Sequence, residues 1–292
     1  MYYFLAFLGS LFIAVMIAVN GRLASAYGLY WSTSIFFLVG LIFISLSAVV
    51  RREKLIFRKE TPFYLYLGGA VGFFTTFFNF MAINKISVTA ILALSLFGQA
   101  AFSLVIDQFG FFEMPVRKMN YGKFLGLIVT GVGIIVLLQG SDKLYLVPVI
   151  VSLLTGITVV VSRQLNSQVA THSGVFTATW VNYLAGLIMA LAAMGIAGLF
   201  GENISFSYAP LPFWAYLSGV FGALIVFISN ICVSKMSSFV MTLVMFSGQV
   251  LGGVAIDAAI SGSFSPKALM GGIFALLGLV INVLIDKKQL VK

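Results

Sequence analysis

The sequence predicts an all-α polytopic membrane protein, with ten transmembrane helices built as two inverted five-helix repeats. Three observations carry that expectation. Of the 292 residues, 61% are hydrophobic and only 9% charged, with a mean hydropathy of +1.11; a soluble globule is nearer half apolar and a quarter charged. The apolar residues run continuously rather than alternating, which suits helices and rejects an outer-membrane barrel with its period-two strands. Finally, the stretch LSLFGQAAFSLVID at 94–107 returns 150 positions later as VMFSGQVLGGVAID at 244–257.

A helix needs roughly 20 apolar residues to cross the hydrocarbon. Runs that meet this requirement lie at 3–20, 29–50, 63–83, 88–106, 121–139, 145–161, 175–199, 212–233, 239–260 and 268–285. The first begins at Tyr2 with no basic segment ahead of it, and no small-residue cleavage pattern follows, so it reads as a retained span. Counting Lys and Arg on alternate sides of these spans puts thirteen on the N-terminal side and four on the other. By the positive-inside rule both termini are cytoplasmic. The longest connections, 51–62, 107–120 and 200–211, are too short to be soluble domains.

The repeat runs through the chain and divides it into 1–140 and 144–292. At an offset of 146, Asn20, Gly28 and Thr33 match Asn166, Gly174 and Thr179. At 150, Gly69, Gly72 and Lys85 match Gly219, Gly222 and Lys235, and at 145, Gly126 and Gly133 match Gly271 and Gly278. Five spans per half is an odd number, so the second half enters the membrane upside down relative to the first.

Polar side chains inside such spans are the candidates for function. Ser95, Gln99, Ser103 and Asp107 are spaced by four and form one stripe down the fourth span. The ninth span repeats it as Met245, Gln249, Gly253 and Asp257, with Ser247 alongside. Inverted repeats bring such positions near the midplane, where substrates bind. Gln99, Gln249, Ser95, Ser103 and Ser247 are therefore expected to line a substrate site. Asn20 and Asn166, near the ends of the first and sixth spans, join them, as do Asn182 and Trp180, the latter as an aromatic wall. The same amides and small residues would also serve as interhelical glue. Asp107 and Asp257 fall late in their spans, where a gate, a proton-coupling site and an interfacial anchor are all consistent with the position.

Absences narrow the chemistry. Cys232 is the single cysteine and His172 the single histidine, so no cysteine- or histidine-based metal centre is expected. There is no phosphate-cradling glycine loop for ATP, and no cofactor is expected. No nucleophile and base pair is visible, so an intramembrane enzyme ranks last. The net charge of +9 is scattered over loop ends rather than gathered on a soluble face, which speaks against nucleic acid as a partner. No Lys or Arg falls at the expected mid-membrane level; Arg22 and Arg163 sit at the mouths. A neutral, zwitterionic or weakly charged amphipathic substrate follows, since a strong anion would need a buried counter-charge. Membrane lipid is the other expected partner, and a homodimer is compatible with the sequence without being demanded by it.

The ten spans, the duplication and the segment LALSLFGQAAFSLVIDQFG at 92–110 resemble the drug/metabolite transporter superfamily, with its EamA-like arrangement of helices. More narrowly, with NGRL at 20–23 and the glycine-rich 68–72, the chain is similar to the YdcZ branch of bacterial inner-membrane exporters. The second copy departs from the pattern, because Asp257 is followed by AAISG without a Phe-Gly pair. The resemblance implies alternating access by rocking helix bundles around a central cavity, in a bacterial inner membrane. On this reading the chain is a secondary transporter of a small organic metabolite. A channel or lipid scramblase with a continuous polar path is the alternative class, and a non-transporting partner or sensor subunit a third.

Overall fold

A computed structural model describes residues 2–58, 60–109, 111, 146–204, 206, 210–233 and 238–261, with isolated positions at 124, 125, 127, 128, 131, 132, 135, 273 and 277. The expected spans at 121–139 and 268–285 lie almost wholly outside the described residues. So do the side chains of Asp107, Ser247 and Asp257, for which only the helical backbone is described.

Every regular element among the described residues is helical. The helices are α1 (Tyr2–Val50), α2 (Gly68–Ala82), α3 (Val88–Phe109), α4 (Leu146–Ser173), α5 (Val175–Leu199), α6 (Ser218–Val233) and α7 (Ser238–Ser261). Short 3-10 turns, Phe63–Leu67 and Phe213–Leu217, lead into α2 and α6. Each begins after a proline, Pro62 or Pro212, whose extended backbone admits the chain to the helix. Six of these helical segments are apolar and long enough to cross a membrane: Tyr2–Val50, Phe63–Ala82, Val88–Ile106, Leu146–Ser173, Val175–Leu199 and Phe213–Cys232. Their outer faces carry bare apolar side chains such as Leu46 and Ile188, 61% and 58% exposed, which water would not tolerate in such number but acyl chains would.

With 49 residues, α1 is more than twice the length needed for one crossing, at about 1.5 Å per residue against a core of about 30 Å. Gly28 breaks it, at φ 70° and ψ −176°, into two limbs that correspond to the first two expected spans. The repeat mate Gly174 separates α4 from α5 with φ 88°. Both positions use a backbone region open to glycine and costly for other residues. The helices run up to these two breaks without interruption. Asn20 and Asn166, expected near helix ends, therefore sit inside continuous helix, and α4 runs on to Ser173, well past the expected end at 161.

The packing between the halves is reciprocal. A Cβ on Gly69 would collide with the backbone of Asn182, and one on Gly219 with the carbonyl of Phe36; Phe36 and Asn182 are themselves 146 positions apart. Gly98 rests on the carbonyl of Leu153 and on Gly156, while Gly248 rests on Phe7 and Ser10, the positions equivalent to those two at the same offset. Gly40 lies under the ring of Tyr183, and Gly186 under the ring of Phe37. Small residues at such crossings let helices approach closely, where dispersion and not the hydrophobic effect holds them. At the centre Phe36, Phe37 and Tyr183 form an aromatic cluster, with ring centroids 5.2, 5.7 and 6.0 Å apart.

Candidate functional site

Every one of the seven helices contributes to a cavity of about 150 Å³. Gln99 on α3 and Gln249 on α7 line it together, 4% and 2% exposed, although 150 positions separate them. The cause is local. Gly98 and Gly248, each preceding its glutamine, have no side chain to hold the neighbouring helix away, so each amide is delivered into the interior.

Hydrogen bonds tie the polar groups of the lining to one another and to the backbone. Asn166 donates from Nδ2 to Asn182 Oδ1 at 2.7 Å and to Ser162 Oγ at 3.2 Å. Ser162 in turn donates to the carbonyl of Gly68 at 2.8 Å. The glycine-rich start of α2 makes this fit, since a Cβ on Gly68 would overlap the Asn166 side chain. Ser95 accepts from Gln99 Nε2 at 3.5 Å, a long bond between residues one helical turn apart. Asn79 and Asn230 also line the cavity, and their Oδ1 atoms are buried without a hydrogen-bond partner among the described residues. Such orphaned acceptors are costly to bury unless water or a ligand satisfies them. Apolar side chains complete the lining, among them Ile13, Ile17, Leu92, Phe36 and Tyr183.

Of the expected site residues, Gln99, Gln249, Ser95, Asn166 and Asn182 converge here. Ser103 lies farther along α3, half-buried and off the cavity. Asn20 is 2% exposed, with both amide atoms unpartnered among the described residues, yet it does not line the cavity. Trp180 is not the aromatic wall. Residues two apart on a helix point to nearly opposite sides, and while Asn182 faces the cavity, the Trp180 indole donates to Ser45 Oγ at 3.0 Å and its ring packs against Phe57. The aromatic side chains that line the cavity are Tyr183, Phe36 and Phe37.

The largest departure from expectation is Arg163. Sequence places it at a mouth because the apolar run ends at 161. The helix does not end there, and Arg163 lines the cavity and donates from Nη2 to Gln99 Oε1 at 3.1 Å. The premise that no cation reaches the interior is therefore corrected. The readable signal was the helical register: Arg163 lies seven residues after Gly156, the residue packed against Gln99, and thus on the same face of α4.

The fold is that of a multi-pass helical membrane protein with a polar cavity among its helices. The sequence profile of the family described as "Putative inner membrane exporter, YdcZ" matches residues 1–136 and 147–281. The chain belongs to this family, the YdcZ branch of the drug/metabolite transporters, and is a multi-pass inner-membrane protein. No curated protein sequence matches it. Among solved structures, one crystal structure superposes with a TM-score of 0.61 over 97% of this chain and 98% of its own, at 18% identity, which is a likeness of fold.

Proposed function

We propose that the chain is a secondary active transporter, an exporter, that moves a small neutral, zwitterionic or amphipathic organic metabolite by alternating access around the central cavity. The observation that carries this reading is the convergence of Gln99 and Gln249, equivalent residues of the two halves, on one buried hollow. The reciprocal glycine contacts support two five-helix halves related by a pseudo-twofold axis in the membrane plane. In this arrangement rocking one bundle against the other opens the same site to each face in turn. Gln99, Gln249, Ser95, Asn166 and Asn182 bind the substrate, with Ser247 near Gln249 in sequence as a further binding residue; Ser103, Asn20 and Trp180 support it from outside the first ring of contacts. Asp107 and Asp257, late in α3 and α7, serve as gates or proton-coupling groups.

The test is flux into proteoliposomes. Gln99→Ala and Gln249→Ala are expected to reduce saturable, competable transport at least tenfold while shifting the unfolding temperature only slightly. Normal transport by both variants would remove the site assignment. Unsaturable flux through a path open at both faces would instead make the chain a channel or lipid scramblase.

A further inference from the structure

We infer that the transported molecule carries a carboxylate, and that Arg163 is the residue that receives it. This rests on the carrier reading of the cavity and narrows its substrate class to small carboxylic acids and zwitterions with an apolar body.

Arg163 lies ten residues before the end of α4, about 15 Å along the helix axis, so its guanidinium is inside the protein and not in the loop. Among the described residues its hydrogen-bond partner is the amide oxygen of Gln99, 3.1 Å away. An amide satisfies one N–H and neutralises no charge. Among the described side chains no carboxylate pairs with Arg163, and none lines the cavity. Asp107, on the same stripe as Gln99, starts two turns farther along α3, about 12 Å from it. A cation held in a membrane interior without an opposite charge is expensive, and the usual resolution is a ligand or counter-ion that supplies one.

The geometry selects the anion. A guanidinium presents parallel N–H groups that match the two oxygens of a carboxylate. One positive charge balances one negative charge, and no other Lys or Arg among the described residues lines the cavity, so a phosphate dianion would remain uncompensated. The unpartnered Oδ1 atoms of Asn79 and Asn230 add acceptors for an ammonium or hydroxyl, which admits zwitterions. Ile17, Leu92 and Tyr183 add apolar lining to the same cavity. An engineered dry cavity of about 150 Å³ takes up benzene, which sets the size of the body as one small ring or a branched chain.

The experiment uses the purified full chain and three acids, acetate, isovalerate and benzoate, each against its own primary amide at matched ionic strength. Protection against thermal unfolding is the readout. For the best-fitting acid, wild-type protein is expected to reach half-maximal protection at a concentration at least tenfold lower than for the amide. R163Q and R163M should abolish that difference and R163K should keep part of it, all three folding without ligand because no ion pair among the described residues is lost and the hydrogen bond to Gln99 is the only polar contact removed among them. If no acid outperforms its amide, or if the preference survives both R163Q and R163M, the inference is overturned. Flux separates this from the parent reading. Acid transport that is lost in Gln99→Ala but unchanged in R163Q would overturn the carboxylate assignment and leave the carrier standing. Arginine-dependent acid binding with no saturable flux would uphold the arginine site and overturn the carrier.

Discussion

Asn20 and Asn166 occupy matched positions and have opposite surroundings. Asn166 is tied to Asn182 and Ser162, whereas Asn20 buries both amide atoms without a partner among the described residues. The reason is in the other half of each pair, since the position equivalent to Asn182 is Phe36, which offers no acceptor. Asn166→Leu should orphan the Asn182 oxygen and cost about 1–3 kcal/mol, read as a lowered unfolding temperature in detergent. Asn20→Leu should leave stability unchanged or raise it, because it removes two unsatisfied groups. An equal loss from both would mean that Asn20 has a structural partner. At this scale the sequence showed which residues were polar inside the membrane but not whom they meet. Trp180 and Arg163 illustrate the point: each lies within three residues of a cavity-lining neighbour, and helical phase and helix length decided which of the two enters the cavity.

At the scale of the element, glycine does two separable jobs. Gly28 has nothing within 4 Å of a would-be Cβ, so its role is the backbone conformation alone. Gly28→Ala should therefore cost about 1–2 kcal/mol of stability through strain, and Gly28→Asn less, since asparagine tolerates the left-handed region. Gly69 and Gly219 have ordinary helical dihedrals but backbone pressed against them. Gly69→Ala and Gly219→Ala should each force α2 or α6 away from its neighbour and cost about 1–3 kcal/mol. Measured unfolding temperatures across these four variants separate the two roles; rescue of Gly69→Ala by a smaller neighbour is not expected, because the obstacle is main chain. Helix existence was legible from apolar runs alone. Helix ends were not, because polar residues such as Arg163 can continue a helix once a cavity, and not water or lipid, receives them.

For the whole molecule, the carrier reading makes a geometric demand. Cys232, fully buried between Ala6 and Met245, can be replaced by alanine to give a background without cysteine. A single cysteine at Ser229, which lines the cavity, should then react with a membrane-impermeant maleimide from one face at a time, with the face changing when substrate is supplied. Labelling from both faces at once would point to an open channel. Fusion reporters on the two termini should both report the cytoplasm, as the excess of Lys and Arg on that side requires, twelve to four once Arg163 is placed in the cavity. Opposite sides for the two termini would make the number of spans odd and remove the inverted relation between the halves.

Sequence by itself determined that the chain is a helical membrane protein, that it is duplicated, and that one glutamine per half is singled out. These follow from composition, run length and self-similarity, which are properties of a string and need no third dimension. Tertiary structure alone decided that Gln99 and Gln249 share one hollow, that Trp180 leaves it and that Arg163 enters. Those outcomes depend on how closely glycine lets helices approach and on where each helix ends, and both are set by neighbours remote in sequence.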